Sequence, residues 1–121
     1  MNIKQIQHAK IRATLKLIVE LLVKSEFNQL EVISNGVRLK SEHISSAIAS
    51  YGRKLDAPSE DDYRMVDIVA IKGAEHPKYS IRIRLFTEEE GRSDLEIQAT
   101  FIDDNVDSPY MRIELDDILV A

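Results

Sequence analysis

Tyr79 to Phe101 reads YSIRIRLFTEEEGRSDLEIQATF, and this stretch decides the fold. Tyr79, Ile81, Ile83 and Leu85 alternate with Ser80, Arg82 and Arg84. Beyond the acidic turn, Leu95, Ile97, Ala99 and Phe101 alternate with Glu96, Gln98 and Thr100. Successive side chains of a strand point to opposite faces, so a sustained period of two predicts an antiparallel hairpin. One face lies on a core and the other in water. Arg82 and Arg84 are expected to pair across the hairpin with Glu96 and its neighbours, as exposed cross-strand charge balance.

Upstream of the hairpin the period changes. Ile11, Leu15, Ile18 and Leu22 recur at helical spacing, and Leu17 and Leu21 widen the stripe, so Ile3 to Lys24 is read as an amphipathic helix. Lys4, Arg12 and Lys16 fall off that stripe. Ser25 is read as the cap of a second helix through Phe27, Leu30 and Ile33, ending at Asn35-Gly36. Ser41 is read as the cap of a third, whose stripe is Ile44, Ala47, Ile48 and Tyr51 and which Gly52 stops. Leu55 to Asp62 reads as a linker. Tyr63 to Lys72 reads as a strand apolar on both parities, expected to be covered on both faces. Gly73 to Pro77 and Asp103 to Pro109 read as loops. The last strand starts at Tyr110, with Met111, Ile113 and Leu115 inward, and Ile118-Leu119-Val120 follow Asp116-Asp117.

Helices first, then four strands on short connections, predicts an α+β domain. Residues 1–121 are read as one domain, with a helical part over 1–54 and an antiparallel meander sheet over 63–120, two to three helices packing on one face of it. The cysteine count is zero, which excludes disulfides, thiol catalysis and thiolate metal sites. No apolar run approaches the length of a membrane span and the N-terminus has no signal-peptide core, so the expected location is cytoplasmic, with no membrane partner.

The net charge of -5 hides an asymmetry. Residues 1–54 carry nine Lys/Arg against four Asp/Glu, whereas residues 55–121 carry seven against seventeen. In a sequential meander, Glu60, Asp61, Asp62, Glu88, Glu89, Glu90, Asp94, Asp116 and Asp117 are expected to gather at one end of the sheet, relieved mainly by Arg64 and Arg92. Glu75, His76, Asp103, Asp104 and Asp107 fall at the other end. A one-signed surface attracts a basic partner and raises its association rate. Nucleic acid is not expected as a partner, because the acidic half repels phosphate and no aromatic or glycine-rich element accompanies the basic residues.

Catalytic patterns are absent. His8, His43 and His76 are widely separated, with no HExxH. There is no glycine-rich phosphate loop and no G-x-S-x-G. Asp103 to Asp107 lacks the spacing and terminal glutamate of an EF-hand loop, and turn chemistry accounts for it. No cofactor, metal or enzymatic activity is expected.

FTEEEGRSDLEIQATF, with the YMRIELDDILV strand and the SEHISSAIASYGRKL helix, resembles a family of small bacterial domains with a T-E-E-E-G-R-S-D-L turn and an I-E-L-D-D-L-type closing strand. The resemblance runs from about Leu39 onward. The chain also looks like immunity proteins of contact-dependent inhibition and polymorphic toxin systems. That resemblance implies a protein that binds and neutralises a cognate toxin, often a basic nuclease, by occluding its surface, with the nine acids above as the interface. Two other readings fit the element order. One is a cone-shaped, nuclear-transport-factor-like domain with a ligand or enzymatic site between helices and sheet. The other is a structural or regulatory oligomer. As a toxin-binding protein, the chain is expected to be a monomer or weak homodimer.

Overall fold

The computed structural model describes residues 2–121. Helix α1 spans Ile3–Val23. Asn2 caps it: its side chain accepts from Gln5 N–H at 2.9 Å, and the Gln5 side chain accepts from Asn2 N–H at 3.0 Å. The stripe Ile11, Leu15, Ile18, Leu22 is buried, joined by Val19 and Leu21. Burying side chains of this size contributes about 2 kcal/mol each, which holds the helix to the sheet.

Ser25 does not cap a second helix. It terminates the first. Ser25 has φ 58, its N–H donates to Leu22 O, and Glu26 N–H donates to Leu21 O. Together these bonds make the left-handed closure of a helix C-terminus. Helix α2, Phe27–Ile33, then starts after Glu26 with no side-chain cap. It ends at Asn35-Gly36, with φ 57 and 55, the left-handed pair that those residue types suit best.

Helix α3 is Ser41–Tyr51, so Ser41 is its first residue and Lys40 precedes it as the cap position. Glu31 of α2 accepts from Ser41 N–H at 2.6 Å and so satisfies one of the orphan donors of the first turn.

The linker is structured. Strand β1, Leu55–Asp56, is followed by a one-turn helix α4, Glu60–Tyr63. Ser59 and Asp62 form a reciprocal box at its start, with Ser59 N–H donating to the Asp62 carboxylate at 3.0 Å. Glu60, Asp61 and Asp62 therefore fill a helical first turn, where negative charge is favoured. Tyr63 belongs to this turn, and the strand that follows, β2, is only Asp67–Ala70. All of its residues are exposed, so the expected cover on both faces is wrong. The core takes Tyr63 and, at its margin, Val66, but no residue of β2, which lies at a sheet edge.

Strands β3, Lys78–Thr87, and β4, Gly91–Ile102, form the hairpin, and β5 is Arg112–Val120. Strands β2 to β5 lie in sequential antiparallel order, and β1 also pairs with β3. The protein is therefore α+β, as its periodicities predict. Ile81, Ile83, Leu85, Leu95, Ile97, Ala99 and Phe101 are buried against α1. Arg82 bonds Glu96 and Arg84 bonds Asp94, each one step diagonal to the residue opposite. The strands run deeper into the turn than the alternation suggests, because Gly91 at φ 72 closes it after Glu88-Glu89-Glu90.

Two irregularities interrupt the ladders. Between Arg84 and Phe86 the register shifts by two residues in β4, which keeps the parity, so Ser93 stays on the buried face with Leu95, and Ser93 Oγ donates to Leu85 O at 2.7 Å. In β5, Gln98 faces Asp117 while Ala99 faces Leu115, which makes Asp116 the extra residue. That bulge resets the parity, so Leu115 and Ile118 can both be buried. Tyr110 lies outside the strand and is exposed, while Met111, just before it, is buried.

Candidate functional site

The nine acids do not form one cluster. Glu88, Glu89 and Glu90 stand at the hairpin tip. Arg53 lies 3.7 Å from Glu90, Lys54 lies 3.3 Å from Glu88, and the Lys54 N–H donates to Glu89 at 3.1 Å. Tyr51 links two of the acids' positions: its hydroxyl donates to Glu90 at 2.8 Å and accepts from Asp94 N–H at 3.3 Å. Asp94 also bonds Arg84 at 3.2 Å.

The α4 acids are held separately. Glu60 bonds Lys16 of α1, Asp61 bonds Arg64 at 2.8 Å, and Asp62 completes its own helix cap. The hydrogen bond from Lys16, with the charges of Lys16, Arg12 and Arg64, holds the Glu60 carboxyl below its usual range. Asp116 and Asp117 are not at the sheet end. They face Gln98 and its neighbours in mid-sheet, because β5 continues past them to Val120. Asp116 is held by Arg38 and accepts from the Thr100 hydroxyl at 2.7 Å, while Asp117 accepts from its neighbour Ile118 N–H at 2.8 Å. Arg92 makes no ion pair with any described residue, so the expected relief by Arg64 and Arg92 is mostly supplied by Lys16, Arg38, Arg53 and Lys54 instead.

This gives the charge asymmetry a structural role. Lys10, Lys16, Arg38, Arg53 and Lys54 of the basic half each pair with an acid of the acidic half. Four of those pairs are exposed, and exposed pairs are individually weak.

Lys10–Asp103 is different. Both side chains are buried, 2.6 Å apart. Lys10 also donates to Asn105 O at 3.0 Å, and Gln7 donates to the second Asp103 oxygen at 2.6 Å. Tyr79 donates to Gln7 at 3.1 Å, which ties α1 to β3 as well. Burial by itself raises the Asp103 pKa, but the bonds from Lys10 and Gln7, together with the Lys10 charge, outweigh it and hold the carboxyl below its ordinary value. Sequence reasoning missed Lys10. The signal was its position: Lys10 and Thr14 lie one turn apart beside the buried stripe, where polar residues need partners.

Two clefts flank α1. A cleft of about 510 Å³ is walled by Ile3, Ile6, Pro77 and Val106 over the Lys10–Asp103 pair. A smaller one, of about 230 Å³, lies between α1 and the α4–β2 segment. Among the described residues no group of three or more His, Asp or Glu side chains is placed to hold a metal ion. Among the described residues no helix is long and apolar enough to cross a membrane.

A family model described as a domain of unknown function (DUF7668) matches residues 19–121. No curated protein and no solved structure matches the chain. The matched span takes in the end of α1, both other long helices and the whole sheet, and the chain belongs to the DUF7668 family.

Proposed function

We propose that this protein is an immunity protein: it binds a basic toxin domain, such as a nuclease, and neutralises it by covering its surface. The observation that carries this reading is the hairpin tip. Glu88, Glu89, Glu90 and Asp94 are presented together at the end of a paired strand frame and are all exposed. Their partners Arg53 and Lys54 are themselves exposed and Arg84 is half-exposed, so these pairs exchange readily for the lysines and arginines of a partner. Of the nine expected contact residues, Glu88, Glu89, Glu90 and Asp94 form the centre of the proposed surface. Glu60, Asp61 and Asp62 lie on the connection that joins β1, beside the tip, to β2, and they form its flank. Asp116 and Asp117, in mid-sheet, fall outside it.

The mechanism is steric and electrostatic occlusion, and no bond is made or broken. The net charge of -5 steers a basic partner toward the surface. Co-expression with a basic toxin domain, taken first from any toxin gene that adjoins this one, tests it. The expected result is a co-purifying complex and restored growth of cells that the toxin alone arrests. A toxin that arrests growth equally with and without this protein contradicts the reading.

A further inference from the structure

We propose that the crevice between α1 and the α4–β2 segment is a binding site for a small organic acid, an apolar body that carries one carboxylate. The crevice holds about 230 Å³. Its buried lining residues, Ile11, Leu15 and Tyr63, make an apolar floor. Its exposed lining residues include His8, Arg12 and Arg64, which place three nitrogen-bearing side chains at the mouth.

A second observation comes from the helix itself. Lys4, His8, Arg12 and Lys16 recur at every fourth residue of α1 and form one row on its surface. Arg12 and Lys16 are like charges one turn apart and repel, so the helix is weakened there unless an anion offsets them. Lys16 is offset by Glu60, and Arg64 by Asp61. Arg12 makes no ion pair with any described residue, although it lines the crevice. Its planar guanidinium matches a carboxylate with two parallel hydrogen bonds.

The size and surroundings select the ligand class. Of the two guanidinium groups lining the crevice, Arg12 alone makes no ion pair with any described residue, which suits a single negative group. The acidic protein around it, with a net charge of -5, disfavours a polyanion such as nucleic acid. The apolar floor supplies hydrophobic burial for the rest of the molecule. This site shares no residue with the hairpin tip and stands or falls independently of the immunity reading.

Octanoate is the probe, with octanamide as its uncharged counterpart of the same shape, each titrated calorimetrically into the full chain at low salt. Octanoate binds saturably and octanamide at least about tenfold more weakly. Arg12→Gln with Arg64→Gln lowers octanoate affinity by about tenfold or more, while Lys24→Gln at the far end of α1 leaves it unchanged. Amide resonances of Ile11, Leu15, Val66 and Ile68 shift on octanoate addition. Equal binding of acid and amide, undiminished binding by the folded double variant, or the absence of saturable octanoate binding overturns the proposal. The acid–amide comparison on the unaltered chain decides even where the double variant does not fold.

Discussion

The Lys10 ammonium lies 2.6 Å from the Asp103 carboxylate, and the pair joins α1 to the end of β4 across 93 positions of sequence. Both groups are almost fully shielded from water. A buried pair of this kind makes a modest net contribution, but it is costly to break on one side. Lys10→Met leaves a buried carboxylate with Gln7 alone and is expected to destabilise the fold by about 3 kcal/mol, measured by urea unfolding. Lys10→Met combined with Asp103→Leu is expected to recover most of that loss. If the double variant is as unstable as the sum of the two singles, the pair is not coupled as described.

The same carboxylate sets a pH dependence. Its folded-state pKa lies below the ordinary value of 3.8. A depressed folded pKa contributes stability that is fully present above the unfolded value and is lost as pH falls through the folded one. Stability is therefore expected to fall on acidification below about pH 4, and Asp103→Asn is expected to flatten that part of the curve. Chemical unfolding of both proteins across this range measures it. Parallel curves would show that Asp103 does not titrate with folding.

Thr14 is a second tie between α1 and the sheet. Its hydroxyl donates to Lys10 O at 2.7 Å and accepts from Met111 N–H at 3.0 Å, with no exposed surface. Thr14→Val keeps the shape and removes the acceptor, which leaves Met111 N–H unpaired. The expected loss is about 2 kcal/mol in thermal or urea unfolding. Amide exchange at Met111 should accelerate beyond what that global loss explains.

Ser25 tests the end of α1. At φ 58 a serine is strained and a glycine is not. Ser25→Gly is expected to stabilise the protein by about 0.5 to 1 kcal/mol. If Ser25 instead acted as the cap of α2, the same change would lower stability, so the sign of the shift in melting temperature separates the two roles.

These cases show where the sequence was legible. Period and composition carried the order of elements, because Ile11 to Leu22, Tyr79 to Leu85 and Leu95 to Phe101 each follow one periodicity without interruption. Ser25 misled because a serine between two helices fits the cap of one and the closure of the other, and only the backbone angle distinguishes them. β2 misled because Ile68, Val69 and Ile71 look like a buried strand, yet the core extends only to Tyr63 and Val66. The acidic site was legible only in part. Adjacent acids on one turn, Glu88 to Glu90, stay together in space by necessity. Asp116 and Asp117 were misplaced because one bulge and three further strand residues, invisible to an alternation rule, carry β5 beyond them. Linear order gives no sign of how the basic half meets the acidic one, whereas tertiary structure brings five of its side chains onto the acids of the second half.

Affinity for the cognate basic toxin domain, measured by calorimetry against salt with the unaltered chain and with the Glu88→Gln, Glu89→Gln, Glu90→Gln variant, tests the central claim most directly. The account predicts that affinity weakens as salt rises, and that the triple variant binds at least about tenfold more weakly with a flatter salt dependence. Affinity that is independent of salt and unchanged in the folded triple variant would contradict it.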